Sequence, residues 1–131
     1  MLKRKHISVI ILCAYVAAVA VLCFMKGDNI PSMEFSILGI PSDKIAHFMM
    51  FVPFPFLTYY TFRTADKIFR KDLTVLLVSL LAGAGFAAGT ERIQSMLEYR
   101  SGDIMDLAAD MTGLLFGCII TIIYMTIIYR K

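Results

Sequence analysis

The stretch "GLLFGCIITIIYMTIIY", Gly113 to Tyr129, carries no charge at all. So long an apolar run belongs in hydrocarbon, where no water can satisfy the backbone amides and the chain must close its hydrogen bonds within itself as a helix. Three other runs obey the same constraint. Ile7 to Met25 is bounded by Lys3, Arg4 and Lys5 on one side and Lys26 on the other, and the others run from about Ile45 to Phe62 and from about Leu73 to Met96. Pro53 and Pro55 interrupt the second run; each removes a backbone donor, which predicts a kinked but continuing helix of a kind membrane spans tolerate. Composition agrees, with 59% hydrophobic residues, 18% charged residues and a mean hydropathy of +0.74 over 131 residues. The expected architecture is an all-α membrane protein, a single domain over residues 1–131, with four transmembrane helices at about 7–25, 45–62, 73–96 and 103–129.

Several classes fall away on the same grounds. A net charge of +3 is small, and the basic residues sit at segment ends instead of forming a patch, so nucleic acid is not the expected partner; membrane lipid is. Cys13, Cys23 and Cys118 all lie within apolar runs, which suits neither a disulfide framework nor a zinc-binding spacing. The first apolar run is longer than the ~7–15 residues of a signal-peptide core and is not closed by a small-residue cleavage site, so it is read as a retained helix. Lys3, Arg4, Lys5, Arg63, Lys67, Arg70, Lys71, Arg130 and Lys131 fall on one side of the four spans, against Lys26, Lys44, Arg92 and Arg100 on the other. Basic residues stay in the cytoplasm, which predicts cytoplasmic termini and an outward-facing 26–44 connection.

The same outer side receives "GTERIQSMLEYRSGDIMDLAADMTG", Gly89 to Gly113, far more charged than a reversal of direction requires. Asp103, Asp106, Asp110, Gly113 and Gly117 recur at alternating three- and four-residue steps and so form one helical stripe. Glu91 and Gln94 share a face, and Asp43 and His47 stand one turn apart where Ser42 or Asp43 could cap a first turn. Gly85/Gly89 and Gly113/Gly117 fit the spacing that lets membrane helices approach closely. Set face to face in an antiparallel hairpin of the third and fourth spans, they pair Gly85 with Gly117 and Gly89 with Gly113, level Glu91 with Asp110, bring Gln94 near Asp106, and link Thr90 to Thr112. The turn then falls at Leu97–Gly102.

These elements, "DKIAHF", then "ERIQ", then "YRSGDIMDLAADMTGLLFG", resemble the VanZ-like family of small bacterial membrane proteins over residues 43 to 117. The family pattern has D-K-x-x-H-F, E-x-x-Q, an Arg six residues on, D-x-x-D and N-x-x-G-x-x-x-G. Here its positions are Asp43, Lys44, His47, Phe48, Glu91, Gln94, Arg100, Asp103, Asp106, Gly113 and Gly117, with Asp110 standing where the family usually has Asn. The resemblance implies a multi-pass protein of the bacterial cytoplasmic membrane and cell envelope, whose namesake is an accessory factor for resistance to the glycopeptide teicoplanin.

Each residue also admits a plainer role. His47 could be an interfacial histidine satisfied by a carbonyl, Asp103 a charge at the positive end of a helix dipole, Arg92 and Glu98 interfacial charges reaching water, and the glycines packing devices. Asp110 resists that treatment: seven residues beyond Asp103 place it about 10 Å deeper, where an unpaired charge is expensive. Two function classes follow. One is a binding protein in which Asp43, Lys44, His47, Glu91, Gln94, Arg100, Asp103, Asp106 and Asp110 hold an anionic cell-wall precursor or lipid phosphate at the outer leaflet, Arg being suited to bidentate capture of anions. The other is a membrane-embedded enzyme acting on a lipid-linked precursor, with His47, Glu91 or Asp110 as acid or base, or with a His/Asp/Glu cluster around a divalent metal. No nucleophile triad order, P-loop or dinucleotide fingerprint supports the enzyme, no pattern points to a particular cofactor, and no inverted repeat supports a transporter.

Overall fold

The computed structural model describes residues 2–25, 36–37, 39–63, 68–98 and 102–130. Helix α1 spans Leu2–Phe24, α2 Ser42–Phe51, α3 Pro53–Phe62, α4 Phe69–Gln94 and α5 Ile104–Tyr129. Taken together, α2 and α3 form one apolar length, Ser42–Phe62, so among the described residues four helical lengths are long and apolar enough to cross a membrane. The chain is a multi-pass membrane protein. Regular structure breaks at Val52, yet its φ of −56° and ψ of −45° remain helical and its N–H still reaches the carbonyl of Phe48 at 3.2 Å. The break is the effect expected of Pro53 and Pro55, which lack the donors that would bond the carbonyls of Met49 and Phe51.

A small ribbon departs from the purely helical expectation. Strands β1, Ser36–Ile37, and β2, Ile40–Pro41, pair antiparallel just ahead of α2. Gly39 makes the reversal at φ +79°, a backbone conformation that a residue with a Cβ adopts only under strain. Pro41, not Ser42 or Asp43, occupies the N-cap of α2, and its side chain makes no cap hydrogen bond.

Helix α5 packs against α2, α3 and α4, while α1 lies against α3 and α4. The inner face of α5 is Asp106, Asp110, Gly113, Leu114, Gly117, Cys118, Thr121 and Met125, the stripe read in the sequence continued to the far end. Its glycines, however, do not meet α4. A Cβ on Gly113 would lie 2.4 Å from the carbonyl oxygen of Phe48, and one on Gly117 would lie 2.2 Å from that of Val52. The close approach is therefore to the α2–α3 span, which runs in the same direction as α5. Gly85 and Gly89 are exposed and have nothing within 4 Å of an added Cβ.

The expected glycine-to-glycine hairpin thus gives way to another register. Helix α4 turns Asp72, Leu76, Ser79, Gly83, Ala87, Thr90 and Gln94 inward, and Gly83 sits against Leu114 and Phe54. Thr112 points outward while Thr90 is buried, so the expected link between them is absent. The physical reason is angular: Gly85 lies two residues past Gly83, about 200° around the helix, and the polar and small residues that α4 must bury all fall on the Gly83 side.

The end of the molecule opposite the β ribbon is closed by a carboxylate. Asp72, buried on α4, accepts hydrogen bonds from the hydroxyls of Tyr59 on α3, 3.0 Å, and Tyr129 on α5, 2.8 Å. Three helices meet on one acid, which lowers the cost of burying it. Tyr129→Phe should cost on the order of 1 kcal/mol and free the last turn of α5. Hydrogen exchange should then speed up at the amides of residues 125–129 while those near Gly113 keep wild-type protection.

Candidate functional site

The polar residues gather where α2 and α5 begin and where α4 ends. Because α2 and α5 run parallel, advancing along both sets Lys44 by Asp106, then His47 by Asp110 and Phe48 by Gly113. The glycines matter here because they let two backbones come close enough for short side chains to touch.

Lys44 is the hub. Its Nζ donates to Asp43 Oδ2 at 3.0 Å, to Asp103 Oδ2 at 2.5 Å and to Asp106 Oδ1. The lysine side chain is 15% exposed, against 53% for Asp43, 40% for Asp103 and 11% for Asp106, so the cluster grades from water into the interior. Asp103 has a second task as N-cap of α5, its Oδ1 accepting from the Met105 N–H at 2.9 Å. The Lys44 ammonium and that N–H hold the Asp103 carboxyl below the usual carboxylate range. The stabilisation is therefore present above the ordinary carboxylate pKa and is lost only as pH falls through the lowered value.

Below Lys44 the chain of contacts continues. His47 Nε2 lies 3.7 Å from Asp106 Oδ2, and His47 Nδ1 lies 2.9 Å from Asp110 Oδ1. His47 and Asp110 are both buried, Asp110 completely. A polar line thus leads from exposed Asp43 and Asp103 through Lys44, Asp106 and His47 to Asp110. Its inner end is unsatisfied: Asp110 Oδ2 is buried with no hydrogen-bond partner among the described residues, and Glu91 Oε2 is in the same condition.

Six of the expected residues, Asp43, Lys44, His47, Asp103, Asp106 and Asp110, therefore form one connected set. Glu91 joins it at a different point from the one expected. Its Oε1 accepts the backbone N–H of Asp103 at the mouth, instead of levelling with Asp110. Gln94 turns away from Asp106 to α1, donating through Nε2 to the Cys23 carbonyl at 2.8 Å, and so ties the first helix to the fourth. Arg100 lies outside the described residues. Among the described residues no group of three or more His, Cys, Asp or Glu side chains is arranged to hold a metal ion.

Two polar contacts escaped the sequence reading. Tyr15 on α1 donates its hydroxyl to the Met50 carbonyl, within the proline-interrupted span. Asp72 binds the two tyrosines at the other end. A signal for Asp72 existed, since it continues the Gly83–Ser79–Leu76 stripe of α4. For Tyr15 the spacing offered none.

A family model described as VanZ/LLP1 matches residues 9–127, nearly the whole chain. An uncharacterized protein of Schizosaccharomyces pombe is 30% identical over 88 residues, covering 66% of this chain and 51% of that protein. The chain spans about half the length of that curated relative. No solved structure matches.

Proposed function

Since the chain belongs to the VanZ/LLP1 family, we propose that it serves the bacterial cell envelope from the cytoplasmic membrane, holding an anionic group at its outer-leaflet polar site. The group is a lipid phosphate or the carboxylate of a cell-wall precursor, and altered susceptibility to teicoplanin is the phenotype to look for. The observation that carries this reading is Asp103 on Lys44. The carboxylate occupies, at 2.5 Å, the place an incoming anionic oxygen would take, and it is half-exposed and already committed to capping α5. Asp43 and Asp106 remain to keep the ammonium paired when Asp103 yields. Arg100 is the second cation of this proposal, on the strength of the family pattern.

The reading predicts opposite effects at two neighbours. Asp103→Asn retains an N-cap side chain, because Asn caps as well as Asp, and removes a competing anion. Binding of a polyprenyl phosphate to the protein in nanodiscs should be equal or tighter. Lys44→Gln removes the cation and should weaken binding at least about tenfold, equivalent to ~1.4 kcal/mol. Unchanged affinity in Lys44→Gln would sink the proposal.

A second reading has one specific observation behind it. Asp110 engages Nδ1 of His47 and so orients the ring, leaving Nε2 toward Asp106 and the mouth. An imidazole held in this way on a carboxylate is placed to exchange a proton. Turnover of a lipid-linked precursor that fails in His47→Gln, with binding retained, would move the protein from binder to enzyme.

A further inference from the structure

The charges around Lys44 do not balance. Asp43, Asp103 and Asp106 all accept from its Nζ, and Glu91 accepts the backbone N–H of Asp103, so four carboxylates share one described cation. His47 and Asp110 leave that tally unchanged, whether as a neutral pair or as an ion pair. Arg92 follows Glu91 in sequence but is exposed, about 100° further round α4. Even with Arg100 counted as a second cation, the acids remain in excess. A second sign comes from Glu91 Oε2, buried on the carboxylate that holds Asp103 and lacking a donor among the described residues.

This excess bears on what can enter. An anion that takes Lys44 from Asp103 releases one carboxylate and adds another negative charge among the acids, and like charges set close together are costly. A ligand that brings its own cation removes both costs. The outer oxygens of Asp43 and Asp103 lie within 3.0 Å of one nitrogen, so a group that replaces either stands beside the other. A primary ammonium suits them, since its three N–H donors can each take a separate oxygen. A metal ion suits them less: Nζ already fills the space between the carboxylates, and among the described residues no three acids or histidines are arranged around a metal position. Resting on the function proposed above, we infer that the ligand is zwitterionic, its anionic oxygen meeting Lys44 and its primary ammonium, a few bonds away, meeting Asp43 and Asp103. A phosphoethanolamine headgroup has this form, and so has the amine-bearing peptide of a cell-wall precursor.

The test is displacement of a fluorescent polyprenyl phosphate from the full chain in maltoside micelles, with EDTA present. Phosphatidylethanolamine should compete at least about fivefold better than either phosphatidylglycerol or phosphatidylcholine. Phosphatidylcholine decides the matter, because it has the same net charge as phosphatidylethanolamine but no N–H to donate. A second arm compares a polyprenyl-linked precursor whose peptide amine is free with the same precursor acetylated. A preference in the first arm assigns the ammonium to a lipid headgroup, and one in the second alone assigns it to the precursor. Asp43→Asn combined with Asp103→Asn, which keeps a capping side chain on α5, should erase the preference. No preference in either arm, or one that survives the double substitution, overturns the inference. Unchanged polyprenyl phosphate binding in Lys44→Gln overturns instead the function on which it rests.

Discussion

Gly113→Ala and Gly117→Ala are each expected to destabilise the protein severely, whereas Gly85→Ala and Gly89→Ala should be neutral or mildly stabilising. A methyl group on either of the first two would stand 2.4 or 2.2 Å from a backbone carbonyl oxygen of the α2–α3 span. Backbone cannot swing aside as a flexible side chain can, so the two helices must part. Overpacking of ordinary cores costs ~1–3 kcal/mol; here the loss should reach or exceed the top of that range, because parting α2 from α5 also pulls Lys44 from Asp106 and His47 from Asp110. At Gly85 and Gly89 an added Cβ meets nothing within 4 Å. The change there is the helix preference for alanine alone, up to ~1 kcal/mol in favour. Thermal unfolding of the four variants in one detergent checks the division. Equal damage at Gly85 and Gly113 would restore the glycine hairpin and overturn the register described above.

That division also marks how far the sequence could be read. The four spans were legible because each rests on one strong constraint, apolar length. The Asp106–Asp110–Gly113–Gly117 stripe was legible because three- and four-residue steps define a face whatever that face meets. The partner of the face was not, since glycine spacing says that two small residues share a side and leaves open which neighbour fills the gap. Adjacent helices of a chain are the natural first choice, and α4 does touch α5. Yet the closest approach belongs to α2, which is remote in sequence and parallel. Buried Gln94, Thr90 and Asp72 fix the inward face of α4, and with it the outward placement of Gly85 and Gly89. Reading the polar residues of α4 before its glycines would have given the observed side.

His47→Ala is expected to abolish function and to destabilise the inserted protein, while Asp110→Asn should leave both nearly intact. Asp110 lies about two turns below Asp103 and is fully buried, so an ionised side chain without a partner would cost about 3 kcal/mol or more there. His47 supplies the contact to Oδ1 that the described residues give it; Oδ2 has no partner among them. A neutral acid resolves the difficulty, since its hydroxyl can donate much as the amide of the asparagine usual at this family position would. Asn then keeps an oxygen to accept from His47 Nδ1–H and an N–H₂ where the acid has its O–H. Removing His47 leaves both oxygens of the acid without a described partner. The alternative, an ionised Asp110 balanced by a charged His47, makes the opposite forecast: Asp110→Asn would strand a buried cation and cost ~3–5 kcal/mol, as one-sided removal from buried pairs does. Unfolding of both single variants and the double variant, read beside teicoplanin susceptibility in a host expressing each, separates the two. If Asp110→Asn is as damaging as His47→Ala in both measurements, the neutral acid is wrong and the charged pair stands in its place.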